Sequence, residues 1–169
     1  LVLEALEKGH TRTDVAQTFQ LMDEVGIPLR PTFVAFTPWT TLEDYLELLA
    51  LVREYDLVDN VDPVQWSIRL LLPPGSALLD KYSDAPWLGE LDEANYTYTW
   101  MHPDSRMEVL HHKVTSCINQ AERLGQEDRH TFSDVEEVAY AVARAQLPLP
   151  RIVPQRRPQA PGLTESWFC

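Results

Sequence analysis

The sequence predicts an α/β fold over residues 1–80, a mostly helical extension over 81–147 and a proline-rich extended tail over 148–169. Three observations carry that reading. Helical and strand-like patterns alternate as far as Leu79, only short turns separate them, and near Asp80 the pattern gives way to an irregular aromatic stretch followed by two further helical periods. Helix, strand, helix, strand is the order of a parallel sheet with right-handed crossovers.

The opening "LVLEALEKGH" is helical in pattern, with Val2, Leu3 and Leu6 apolar and Glu4, Glu7 and Lys8 polar. It has no capping residue before it and no starting methionine, so a truncated N-terminus is expected. From Thr13 to Val25 the apolar positions Val15, Phe19, Met22 and Val25 recur at helical steps, and Gly26 closes the helix. Phe33 to Thr37, rich in aromatic and β-branched residues and bounded by Pro31 and Pro38, reads as a buried strand. Thr40 or Thr41 then caps a helix, with Asp44 as the acid of a capping box behind Thr41 and Leu42, Tyr45, Leu46 and Leu49 on one face. After Asp62-Pro63, the segment Val64 to Leu72 alternates and reads as a second strand, closed by Pro73-Pro74-Gly75-Ser76. Beyond the irregular stretch, "DSRMEVLHHKVTSCINQAERLG" and "SDVEEVAYAVARAQ" read as helices, the second capped by Ser133 with Glu136 three positions on. Five prolines, Pro148, Pro150, Pro154, Pro158 and Pro161, exclude a helix from the tail.

Composition narrows the function. Fourteen basic against twenty-six acidic side chains leave a formal charge of −12, which opposes binding to phosphate backbones and argues against nucleic acid as a partner. That charge also counts against reading "GHTRTDVAQTF" as a DNA-binding helix-turn-helix. There is no apolar run of the ~18 residues a membrane span needs and no basic-then-apolar leader, so a cytoplasmic location is expected. Cys117 and Cys169 stand far apart and form neither a disulfide framework nor a complete metal site. His111-His112 with Cys117 is a poor metal set, because steps of five and six residues do not share a helix face.

The second strand carries the polar constellation. Gln65, Ser67 and Arg69 alternate with Trp66, Ile68 and Leu70, and a strand covered by helices on its apolar side is expected to turn its polar side toward a lumen. An inward Arg69 would suit a carboxylate or phosphate. The Pro73 to Ser76 turn and Thr37-Pro38-Trp39 fall at the C-terminal ends of the two strands, where α/β folds bind ligands.

With those residues in view, Val2 to Val52 followed by "VDPVQWSIRLLLPPGSALL", Val61 to Leu79, resembles the C-terminal half of a radical S-adenosylmethionine enzyme. The similar features are the Lys8-Gly9-His10-Thr11 turn, a helix ending in Gly26-Ile27, a strand ending in a proline turn followed by threonines, and a strand ending in Pro-Pro-Gly-Ser. The terminal "ESWFC" resembles the subgroup with a Cys-Sec-Ala-Glu-Pro or Cys-Cys-Ala-Glu-Pro tail. The resemblance implies the C-terminal portion of a partial (β/α)6, TIM-like barrel, supplying its fifth and sixth strands. It implies a 4Fe-4S cluster on a C-x3-C-x2-C loop that this chain lacks, a reductant for that cluster, and S-adenosylmethionine cleaved to a radical that attacks a small-molecule or peptide substrate. It makes Thr37, Ser67 and Arg69 candidates for the S-adenosylmethionine or substrate side, with Leu71, Leu72 and Pro73 near the adenine. Cys169 becomes the first residue of a redox pair whose partner is encoded by a UGA codon. A chain without the cluster ligands is expected to be inactive alone.

The rival expectation is a non-catalytic acidic binding module that docks a partner through its proline-rich tail. A metal-independent barrel hydrolase ranks last, since no pair of inward carboxylates is evident.

Overall fold

A computed structural model describes residues 2–146 and Ala160. The described chain is mixed α/β and mostly helical. Its elements are α1 (Val2–Ala5), α2 (Arg12–Glu24), α3 (Leu42–Glu54), α4 (Ala77–Tyr82), β1 (Leu88–Asp92), β2 (Thr97–Trp100), α5 (Ser105–Leu124) and α6 (Asp128–Ala143), with 3-10 turns at Val58–Asn60 and Pro63–Ser67. No described helix is long and apolar enough to cross a membrane. The tail and Cys169 lie outside the described residues.

Helices α2 and α3 begin alike. Thr11 and Thr41 each accept a hydrogen bond from the backbone N–H three residues on, and the Asp14 and Asp44 carboxylates accept one from the cap N–H, so two orphan donors are satisfied at each start. Behind Thr41, Leu42, Tyr45, Leu49 and Val52 form the buried stripe of α3. Helix α5 starts at Asp104, whose side chain accepts from the Arg106 N–H, and ends at Gly125 in the left-handed region (φ 60°) that glycine adopts without a Cβ clash.

The expected parallel sheet contracts to one parallel bridge. The Phe36 N–H donates to the Ile68 carbonyl at 3.0 Å, and the Leu70 N–H donates to the Phe36 carbonyl at 2.8 Å. The strand expected over Val64 to Leu72 is a correction, because its first part, Pro63–Ser67, is a 3-10 turn. Proline at the first position allows the turn, and a tertiary contact fixes it: Gln65 donates its N–H to the Asp62 carbonyl within the turn and accepts the Phe33 N–H on Oε1 at 2.8 Å. What survives as extended chain is Arg69 to Leu72.

That short run is joined by the β1–β2 hairpin, in a stretch expected to be irregular. Strands β1 and β2 pair antiparallel with a bulge between Leu88 and Leu91. Tyr98 N–H donates to the Leu72 carbonyl at 2.8 Å, Leu72 N–H to Thr97 Oγ1 at 2.9 Å, and Trp100 Nε1 to the Leu70 carbonyl at 2.8 Å. Residue numbers rise on one segment as they fall on the other, so the hairpin lies antiparallel along Arg69–Leu72.

One hydrophobic cluster runs through both halves of the chain, from Phe19, Phe36, Tyr45 and Leu49 to Leu110, Val114, Phe132 and Val135. Trp66 is its centre of exchange: it stacks on Phe33 (6.1 Å between centroids) and meets Phe132 edge-on (5.2 Å). Ion pairs at the periphery tie α6 down, Arg53 to Glu136 and Arg129 to Asp56 and Asp59. Helix α6 itself starts at Asp128, not at the expected Ser133, whose hydroxyl donates to the Arg129 carbonyl inside the helix.

Candidate functional site

A groove of about 1400 Å³ is bounded by α1, the Lys8–Thr11 turn, α2, the Thr32–Ala35 segment and α3. Its wall is dominated by apolar side chains, among them Leu3, Leu6, Val15, Val34, Leu48 and Ile68. Its floor is the free edge of the parallel pair. Ala35 is 2% exposed, yet neither its N–H nor its C=O finds a hydrogen-bond partner among the described residues. Two neighbours on the same segment are satisfied differently, Phe33 by Gln65 and Phe36 by Ile68 and Leu70.

The polar constellation expected on the second strand is divided by this geometry. Gln65 and Ile68 line the groove, whereas Ser67 and Arg69 are engaged by α5, so the expected single inward face of Gln65, Ser67 and Arg69 does not form. The 3-10 turn rotates residues by about a third of a turn each instead of alternating them, which breaks the period-two register at Ser67. Arg69 is held as a fork: Nη1 and Nη2 donate to the two Glu108 oxygens at 2.7 and 2.8 Å, and Nη2 also donates to the Trp100 carbonyl at 2.5 Å. Its guanidinium carbon lies 3.7 Å from the Trp100 ring centroid. The His102 N–H adds a third donor to Glu108 at 2.6 Å.

Those contacts set the local charge. The Arg69 hydrogen bonds hold the Glu108 carboxyl below its ordinary range, against a smaller opposing effect of burial. His111, one turn along α5, brings Nε2 to 3.2 Å from the Ser67 carbonyl, and burial followed by the nearby Arg69 charge pushes its pKa down. Neither group is left with a free ligand-facing charge.

Thr37 is fully buried and shares a hydrogen bond with Thr40 Oγ1 at 2.8 Å, while its own Oγ1 accepts the Trp39 N–H at 3.3 Å. Leu72 is fully buried beneath the hairpin, and Pro73 is exposed at the turn where its carbonyl accepts the Ser76 N–H. Thr37 and Arg69 flank the same parallel bridge, but their polar atoms serve the protein's own backbone and side chains.

The cluster expected of a radical enzyme finds no ligand set among the described residues. Cys117 is the one described cysteine, half-buried, with its thiol pushed up by burial, and no described group of three His, Cys, Asp or Glu side chains could hold a metal. His112, beside His111, is exposed. Sequence reasoning missed the groove. Its signal was the apolar face of α2 beside the Phe33 to Thr37 segment.

No protein-family model, no curated protein and no solved structure matches the chain.

Proposed function

We propose that this chain is one wall of a radical S-adenosylmethionine barrel, supplying its last two short strands and a helical buttress, and that the groove receives the preceding strand. The observation that carries the reading is the parallel pair itself: Phe36 bonds to the Ile68–Leu70 segment, while the other edge, at Ala35, has no partner among the described residues and faces an apolar groove. An unpaired edge is a template for another strand. Helix α3 between the two extended segments gives the strand–helix–strand order such a barrel repeats.

The described residues do not fit the 4Fe-4S cluster, and the side chains of Thr37, Ser67 and Arg69 are committed to internal partners. No catalytic step is therefore assigned to them. The chain's part is to close and dry one side of the reaction chamber, the service that radical chemistry most needs from its protein. The cluster ligands, the reductant's docking site and the substrate contacts belong to the rest of the barrel in this reading.

The test starts from the gene. The reading frame upstream of Leu1 is expected to encode a C-x3-C-x2-C loop, and its anaerobically purified product to contain iron and sulfide and to release 5′-deoxyadenosine from S-adenosylmethionine under reduction. A longer product with no iron and no sulfide would favour the acidic binding module, for which the same groove is a docking surface.

A further inference from the structure

We propose that the groove selects its occupant by chemistry and not by connection: it takes an extended segment without carboxylates, with branched apolar side chains at alternate positions, even when that segment is a separate peptide. The proposal deepens the barrel reading and takes from it the occupant's direction, parallel to residues 33–37.

Both backbone groups of Phe36 point to the second extended segment, the N–H to Ile68 and the C=O to Leu70. Successive residues of an extended chain turn their backbone groups to opposite sides, so Ala35 turns its N–H and C=O away from that segment. Ala35 lines the groove, is 2% exposed and has no hydrogen-bond partner among the described residues. A purely apolar small ligand would leave that donor and that acceptor unmatched. An extended backbone matches both, one residue accepting the Ala35 N–H and a residue two positions on donating to its C=O, as Ile68 and Leu70 do for Phe36. Phe33 already gives its N–H to Gln65 Oε1, so pairing starts beyond it and the register is set at Ala35. Size agrees, because about 1400 Å³ exceeds the ~300–1,000 Å³ typical of small-molecule pockets.

The wall sets the side chains. Leu6, Val15, Leu48 and Ile68 are among those the occupant would meet, and side chains at every second position of a strand reach one face, so branched apolar residues there match the wall. Charge decides against an acidic occupant. Glu4, Glu7, Asp44 and Glu47 line the groove against Lys8 and Arg12, and Arg12 is already paired with Glu47 at 3.0 Å. With a formal charge of −12 on the whole chain, the field repels carboxylates and accepts lysine at the ends of the segment.

Titration of the present chain with a synthetic peptide that alternates valine and threonine between terminal lysines tests this by calorimetry and NMR. The peptide is expected to bind and to slow exchange of the Ala35 amide. A version with proline in place of the residue that donates to the Ala35 carbonyl is expected not to bind. One with terminal glutamates is expected to bind roughly tenfold more weakly at low ionic strength. A spin label on the peptide's N-terminus is expected to broaden resonances near Phe33, and one on its C-terminus those near Thr37. Val34→Lys, at a 43% exposed position of the wall, is expected to raise the Kd roughly tenfold, whereas Leu124→Lys, on α5 outside the groove, leaves it unchanged; both are compared at wild-type far-UV circular dichroism. Absent binding, binding without slower exchange at Ala35, equal binding of the proline or glutamate version, a reversed label pattern, or a Kd indifferent to Val34→Lys overturns the proposal. The barrel reading fails separately, on an upstream-extended product without iron and sulfide; peptide capture beside that result supports the strand-binding groove and removes the barrel.

Discussion

The two segments of the short parallel pair are partnered differently. On the Arg69–Leu72 segment the hairpin supplies Tyr98, Thr97 and Trp100 as hydrogen-bond partners to the Leu70 and Leu72 backbone, and α5 locks the Arg69 side chain through Glu108. On the Phe33–Ala35 side one polar side chain, Gln65, serves one N–H, and Ala35 has no hydrogen-bond partner among the described residues above an apolar groove. Natural proteins cover, charge or twist away an exposed edge; the hairpin serves Leu70 and Leu72 in that way, and no described residue does so for Ala35. In the reading proposed above, a neighbouring strand finishes the Ala35 edge.

The largest expected effect removes the link between the two sides. Trp66 is 1% exposed and touches both Phe33, on the open segment, and Phe132, on α6. Trp66→Ala is expected to cost about 3–5 kcal/mol in urea unfolding, enough to consume much of a small domain's stability. A loss below about 1 kcal/mol would mean that the edges are not held by a shared core.

A smaller change sharpens the contrast by loosening only the covered side. Glu108→Ala leaves the partly buried Arg69 fork without its carboxylate and is expected to cost about 2 kcal/mol. Amide exchange is expected to quicken at Leu72 and Tyr98 while Ala35 is unaffected; equal quickening at both edges would contradict their independence.

The same carboxylate gives a pH signature. Because the Arg69 bonds lower the folded-state pKa of Glu108, its contribution is complete above the unfolded value of about 4.3 and is lost as pH falls through the lower folded value. Urea midpoints are expected to decline between about pH 4 and the folded pKa more steeply in wild type than in Glu108→Gln. Parallel declines would remove Glu108 from the account.

How far the sequence went can be read in individual residues. The Thr41–Asp44 capping box and the apolar stripe of α3 are local signals, and the structure has both where the pattern puts them. The Gly26 stop after α2 is another. Alternation over Gln65, Ser67 and Arg69 misled because a 3-10 turn followed by extended chain also scatters polar and apolar residues, and only the tertiary bond from Phe33 to Gln65 decides between the two. Arg69 looked like a ligand clamp because its partner, Glu108, lies 39 positions away on α5. The hairpin was hidden in "GELDEANYTYTW", although Asp92, accepting from the Ala94 and Asn95 N–H groups, marks its turn. Local chemistry was legible, and contacts between distant segments were not.

The central claim is that the Ala35 edge is completed by a neighbouring strand. Hydrogen exchange at the Ala35 amide measures this directly, by comparing the present chain with the product of the reading frame extended upstream. In the present chain Ala35 is expected to exchange faster than the bonded amides of Phe36 and Leu70. In the longer product it is expected to slow to the rate of Phe36, and an Ala35 amide that exchanges equally fast in both would contradict the claim.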